Sequence, residues 1–185
     1  IDANWNRRYW VGSAYLRNGV GVRIPGAGSN VVSSPNHASF QITGDIDLRI
    51  KTKLRDWAAP APVTSGTIVP LVQRYGQGVQ VGWRFVLGLD GSLQFGCWVT
   101  GPSYTQATVA APNFGDNEDH WLRVTRASAT GVVKFYTCPT EDGATWVQWG
   151  ADQATTAGVM LAAAVTALTI GHDENNNWWG CPQII

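Results

Sequence analysis

The sequence predicts an all-β fold, a two-sheet antiparallel sandwich or jelly roll, from three observations. About ten short apolar runs follow one another at regular spacing, divided by Gly- and Pro-bearing turns. Residues 44–54 (GDIDLRIKTKL) alternate cleanly enough to assign one buried and one solvated face. Two apolar runs flank Asp90-Gly91 in WRFVLGLDGSLQFGCW, from Trp83 to Trp98, as a central hairpin requires.

Taken in order, residues 1–19 (IDANWNRRYWVGSAYLRNG) have no clean period and read as an N-terminal arm docked on another subunit, or as a linker. The domain proper is expected over residues 20–185. Val20 to Ile24 is a short strand ended by Pro25-Gly26-Ala27-Gly28. Val31 to Pro35 leads into a second strand at Phe40 to Thr43. In the next strand Ile46, Leu48, Ile50 and Leu54 point inward, while Asp45, Asp47, Arg49, Lys51 and Lys53 point outward. The outward row reads as self-pairing charge rather than as catalytic carboxylates. Residues 55–67 form a loop carrying Trp57, and Ile68 to Tyr75 is a strand that Pro70 confines to an edge or a bulge.

The hairpin has two possible registers. A two-residue loop puts Leu87 and Leu93 on opposite faces. A three-residue loop, Leu89-Asp90-Gly91 with Gly91 left-handed, sets Leu87 opposite Leu93, Phe85 opposite Phe95 and Trp83 opposite Cys97. The second register makes one face apolar and leaves Arg84, Val86, Gln94 and Gly96 on the other, so it is preferred. Residues 100–118 are mostly loop, with a strand near Thr105 to Ala110. His120 to Arg126 and Val132 to Thr137 are strands with Leu122, Val124, Val133 and Phe135 inward, and a turn at Glu141-Asp142-Gly143 leads to Trp146 to Trp149. The Ala-rich segment 154–167 reads as an irregular loop or one short helix. Leu168 to Gly171 is a last strand before the polar loop HDENNNWW, His172 to Trp179.

Composition narrows the function classes. Hydrophobic residues make up 44% and charged residues 14%, which argues against disorder. Lys+Arg and Asp+Glu balance at 13 each, without the basic stripe that tracks phosphates, so nucleic acid is not an expected partner. No run is long enough for a membrane helix. Cys97, Cys138 and Cys181 have neither metal spacing nor a disulfide framework and read as structural thiols, Cys97 in the core and Cys138 in a turn. The chain lacks an initiator Met and stops on GCPQII, so it reads as a fragment of a longer polypeptide.

No catalytic constellation emerges. There is no GxSxG elbow, HExxH or CxxC, and the acidic clusters Asp116-Glu118-Asp119 and Asp173-Glu174 read first as turn and loop residues. Two loops are candidate binding sites. The first joins Asp173, Glu174, Asn175, Asn176 and Asn177 to the indole pair Trp178 and Trp179. Its carboxylate and amide oxygens suit Ca²⁺, and amides beside an aromatic face suit a sugar. The competing reading is an exposed loop whose indoles plug the core or face a neighbour. The second is Gly101 to Gln106, with Tyr104 at its tip.

The stretches SFQITGDIDLRIK, WRFVLGLDGSLQF, HWLRVTR, VVKFYTCPTEDGATWVQWG and ALTIGHDENNNWWG together resemble laminin-G-like, concanavalin A-like jelly-roll domains. The versions they resemble most are those of tail and virion structural proteins of actinobacterial phages, and the likeness covers about residues 20–181. The resemblance implies an aligned sandwich whose concave face and loop rim serve ligands or partners. Glucanases of related fold carry an ExDxE strand motif that this chain lacks. No calcium ligand set can be carried over residue by residue, and no cofactor is expected.

The implied function is a non-enzymatic virion protein on the tail or capsid exterior. A minor tail or receptor-binding module comes first, with contacts to other virion proteins, to copies of itself and to a host cell-surface glycan. A capsid decoration protein is the alternative within the same class. A glycan-cleaving enzyme and a free lectin of the same fold are the alternatives outside it.

Overall fold

The computed structural model describes residues 10–11, 15–16, 22–23, 31–34, 36–54, 56–57, 68–76, 80–99, 103–139, 143–163 and 166–171. Thirteen strands are formed there: β1 (Trp10–Val11), β2 (Tyr15–Leu16), β3 (Val22–Arg23), β4 (Val31–Ser34), β5 (Ile46–Lys53), β6 (Ile68–Gly76), β7 (Val81–Gly88), β8 (Leu93–Val99), β9 (Ser103–Val109), β10 (Asp119–Arg126), β11 (Val132–Cys138), β12 (Val147–Ala154) and β13 (Leu168–Ile170). Seven of them make one sheet in the order β1-β4-β13-β6-β7-β8-β9, and four make a second in the order β12-β11-β10-β5. β2 and β3 pair with each other, and every pairing is antiparallel. The architecture is a jelly-roll-like β-sandwich, as the periodicity predicts.

The β7–β8 hairpin adopts the three-residue loop. Trp83 pairs with Cys97, Phe85 with Phe95 and Leu87 with Leu93. Gly88 N donates to Ser92 O at 2.8 Å, closing the loop, and Gly91 is left-handed at φ 76°. All six of these paired side chains are at most 2% exposed. They meet the inward faces of the second sheet, where Leu122, Val124, Val133 and Phe135 are fully buried, and the Phe85 and Phe135 rings lie 6.2 Å apart across the core. Each such side chain contributes roughly 1.5–3 kcal/mol of burial, so the alternation of these strands is the main source of stability.

β5 buries Ile46, Thr52 and, just beyond it, Leu54, while Asp47 and Arg49 are exposed. The outward row does pair with itself. Asp47 meets Arg49 at 2.9 Å and Arg123 of β10 at 2.8 Å, and Lys51 lies 3.6 Å from Asp119. Burial acts to raise the Asp47 pKa, but the hydrogen bonds from Arg123 and Arg49 outweigh it and lower it to about 2. Pro70 is accommodated by a bulge, the register of β6 on β7 shifting between Pro70 and Val72.

Three expectations need correction. Phe40 to Thr43 is not a strand. A 3-10 turn forms at Ala38–Phe40, and its local bonds, Phe40 N to His37 O and Gln41 N to Ala38 O, use donors that a ladder would need. Cys138 closes β11 opposite Trp121 instead of lying in a turn, and Cys97 and Cys138 are both buried thiols. β12 starts at Val147 and runs on to Ala154, held by its ladder with β11. Of the two forms expected for 154–167, the irregular loop is the one taken by the described residues that follow β12. Its backbone is drawn to the rest of the sandwich, Met160 N donating to Thr43 O at 2.6 Å and Leu161 N to Trp98 O at 2.9 Å.

Two buried arginines hold this segment. Arg126 Nη2 donates to the carbonyls of Thr156 and Gly158 at 2.8 and 2.9 Å, and its Nε to Thr155 Oγ1 at 3.2 Å. Arg74 Nε and Nη2 both donate to Ala163 O, at 3.1 and 2.7 Å, while Nη1 and Nη2 reach His37 O and Asn36 Oδ1. Both side chains are 1% exposed, and burial lowers the Arg74 pKa.

Candidate functional site

Asp173, Glu174, Asn175, Asn176, Asn177, Trp178 and Trp179 lie outside the described residues. Tyr104 is described, and it is not at a loop tip. It stands in β9 opposite Trp98 of β8, because the ladder begins at Val99 and Ser103. Strand alternation then places Tyr104, Gln106 and Thr108 on the face of the seven-stranded sheet turned away from the core, together with Gln94, Gly96 and Trp98.

The register brings further groups to this face. Gln73 and Arg84 are opposite each other, and Tyr75 is opposite Gly82. The Arg84 guanidinium lies 4.7 Å over the Tyr75 ring and 5.1 Å over the Tyr104 ring, a cation between two aromatic faces. Its Nε and Nη2 donate to Tyr104 Oη at 3.0 and 2.7 Å, and Tyr104 Oη donates to Gln106 Oε1 at 2.8 Å. Gln106 Nε2 continues to Gln94 Oε1 at 3.1 Å, and Gln94 Nε2 to Ser92 Oγ at 3.1 Å. Trp98 leans on Tyr104 at 5.4 Å between ring centroids. The phenol crosses directly above Gly96, where a β-carbon would come within 2.1 Å of Tyr104 Oη. Burial pushes the Tyr104 hydroxyl pKa up, with Arg84 pulling it back, so the phenol is neutral at pH 7. The result is a row of aromatic faces, a fixed cation and amides whose polar atoms are oriented by one another. Tyr75 is 5% exposed and serves as backing for Arg84, so the accessible part is the exposed Gln106 and Thr108 with the partly exposed Tyr104, Trp98 and Gln94, a set that can hydrogen-bond and stack but holds no paired acid and base.

Sequence reasoning picked out Tyr104 and missed Tyr75, Arg84 and Trp98. The signal was present, since the preferred hairpin register already put Arg84 on the same face as Gln94 and Gly96.

The acidic cluster at 116–119 is divided: Asp116 lies in a turn, while Asp119 opens β10 opposite Lys53. Asp116 Oδ1 accepts from Trp57 N at 2.9 Å, Asn117 N donates to Leu54 O at 2.8 Å, and Asn117 is left-handed at φ 59°. Trp57, 2% exposed, packs edge-on against Phe114 and His120, which stack on each other at 3.7 Å and 7°. Burial lowers the His120 pKa, opposed by Glu118 and Asp119. Beside this wall a cleft of about 370 Å³ is lined by Lys51, Phe114, Asp119, His120, Trp121, Thr137, Cys138 and Pro139. Among the described residues there is no group of three or more His, Cys, Asp or Glu side chains placed to hold a metal ion, and no helix long and apolar enough to cross a membrane.

No family model and no curated protein matches this chain. Solved structures do share its fold. Full-length tailspike protein 2 from an Escherichia coli O157:H7 bacteriophage matches 89% of this chain with 21% of its own, at 10% identity and a TM-score of 0.50. The enzymatically active domain of the bacteriophage CBA120 tailspike protein 2 matches 89% of this chain with 24% of its own, at 11% identity and a TM-score of 0.51. The chain thus spans less than a quarter of either tailspike protein. At this identity the likeness is one of fold: the chain is an antiparallel β-sandwich of a form that phage tailspike proteins contain.

Proposed function

We propose that this domain is a non-enzymatic bacteriophage tail module of the laminin-G-like type that binds a host cell-surface glycan from the virion exterior. The observation that carries the reading is the Arg84–Tyr104–Gln106–Gln94 array, in which the buried Tyr75 backs Arg84 while the partly exposed Tyr104 ring and the exposed Gln106 offer a face and oriented hydrogen-bonding groups without an acid–base pair. The tailspike proteins of similar fold support a place on a phage tail. Contacts with other virion proteins, and with copies of the same chain, belong to the same proposal.

The test is binding of the purified chain to bacterial cell-wall glycans and to whole cells, with and without Ca²⁺. Saturable binding that Tyr104→Ala weakens supports recognition through this face. Absence of binding in both conditions refutes it and favours a scaffold or capsid-decoration role.

One observation favours a second reading, glycan cleavage: one tailspike protein of similar fold is described as an enzymatically active domain. Analysis of the glycan after incubation separates the two. Shortened products that are lost on replacing one of Asp116, Glu118, Asp173 or Glu174 would replace binding with hydrolysis.

A further inference from the structure

We infer that the cleft at the end of β5, β10 and β11 is a saccharide subsite that takes one uncharged pyranose ring. The inference rests on the glycan-binding reading above but concerns a different surface, on the second sheet. Its residues come together because Lys51, Trp121 and Cys138 form one cross-strand row, Trp121 pairing with Lys51 on one side and with Cys138 on the other.

Three features point to a sugar. The volume, about 370 Å³, is at the small end of the range for small-molecule sites, roughly 300–1,000 Å³. The walls are flat and rigid. Trp121 is held by the edge of Trp146, 6.3 Å away at 80°, and by Gly143, where a β-carbon would come within 3.1 Å of its ring. The Phe114–His120 stack is braced by Trp57 behind it. The polar groups are a balanced donor and acceptor set. The Lys51 ammonium and the Asp119 carboxylate lie 3.6 Å apart, partly exposed at 25% and 30%.

An anion in this cleft would meet Asp119, and a cation would meet Lys51. A neutral ring instead offers hydroxyls to both and an apolar C–H face to Trp121. Among the remaining polar linings, Cys138 is 5% exposed, and His120 turns its Nε2 toward Glu118 Oε2 at 3.6 Å.

The experiment is NMR on the whole chain with the methyl pyranosides of glucose, galactose, mannose and N-acetylglucosamine. The expected result is saturation transfer to at least one of them, a shift of the Trp121 indole N–H, and about tenfold or greater weakening in Trp121→Ala. If that variant does not fold, Lys51→Ala, at the cleft mouth, is expected to weaken the same binding. A pyranoside that binds while Trp121 stays unshifted and Lys51→Ala binds as wild type overturns the cleft and leaves host-glycan recognition standing. The cleft is also overturned if no pyranoside shifts Trp121 while the chain still binds cells. Loss of both pyranoside and cell binding overturns the two readings together.

Discussion

The Arg84–Tyr104 pair is the most exacting point at which the candidate binding face can be tested. Two charge-assisted hydrogen bonds, at 3.0 and 2.7 Å, converge on Tyr104 Oη. Such a bond contributes about 1.5–3 kcal/mol when shielded, and partial exposure here argues for the lower end. The guanidinium also faces two rings at 4.7 and 5.1 Å, each adding about 0.5–1 kcal/mol. Tyr104→Phe keeps both rings and removes the acceptor for Arg84 along with the exposed donor to Gln106, so it should cost about 1.5 kcal/mol, most of it from the Arg84 bonds. Arg84→Met loses the bonds and the cation together and should cost about 2.5–3.5 kcal/mol. In the double variant the hydroxyl loss is already included, giving a coupling of about 1.5 kcal/mol. Urea unfolding of the four proteins measures it. A coupling below about 0.5 kcal/mol would refute the claim that Arg84 organises this face.

Further outcomes follow from other contacts. Gly91→Ala must hold a side chain at φ 76° and place its β-carbon 2.3 Å from Trp57 O, so it should lose about 2–4 kcal/mol in urea unfolding. Gly44→Ala, with nothing within 4 Å, is the near-neutral control. Asp47 has a folded pKa of about 2 against about 3.9 unfolded, so its contribution is complete above the unfolded value and disappears as pH falls through 2. Because the carboxylate is 38% exposed, the expected loss in an acid series is only about 1 kcal/mol or less, and Asp47→Asn should remove that pH dependence. Cys97, with its pKa raised by burial, should resist iodoacetamide in the native chain and react only on unfolding, as read by peptide mass mapping.

The elements that sequence reasoning read correctly are those in which one local rule decides. Strict alternation sufficed for β5, and the Asp-Gly turn with its matched apolar faces sufficed for the β7–β8 register. The failures occurred where distant groups compete. Phe40 to Thr43 looks extended by composition, yet the preceding backbone closes on itself as a 3-10 turn. At 154–163 propensity left loop and helix both open, and the choice of loop is made by arginines more than 25 residues away in sequence that claim its carbonyls. The candidate site divides in the same way. Tyr104 stands out by type, whereas Arg84, Tyr75 and Trp98 join it only through pairing across four strands. The Lys51–Trp121–Cys138 row likewise exists only once β5, β10 and β11 are in register.

The two buried arginines have a consequence for how this chain can diverge. Arg126 and Arg74 grip the segment at 156–163 through the carbonyls of Thr156, Gly158 and Ala163, groups that every amino acid supplies. The path of the segment is therefore written in Arg74 and Arg126 and hardly at all in the segment's own side chains. Drift there is cheap apart from Gly158 at φ 123° and the buried Met160 and Ala163. Relatives of this domain should keep both arginines while the exposed positions of 156–163 vary. That arrangement permits new surface chemistry on this segment without a new fold.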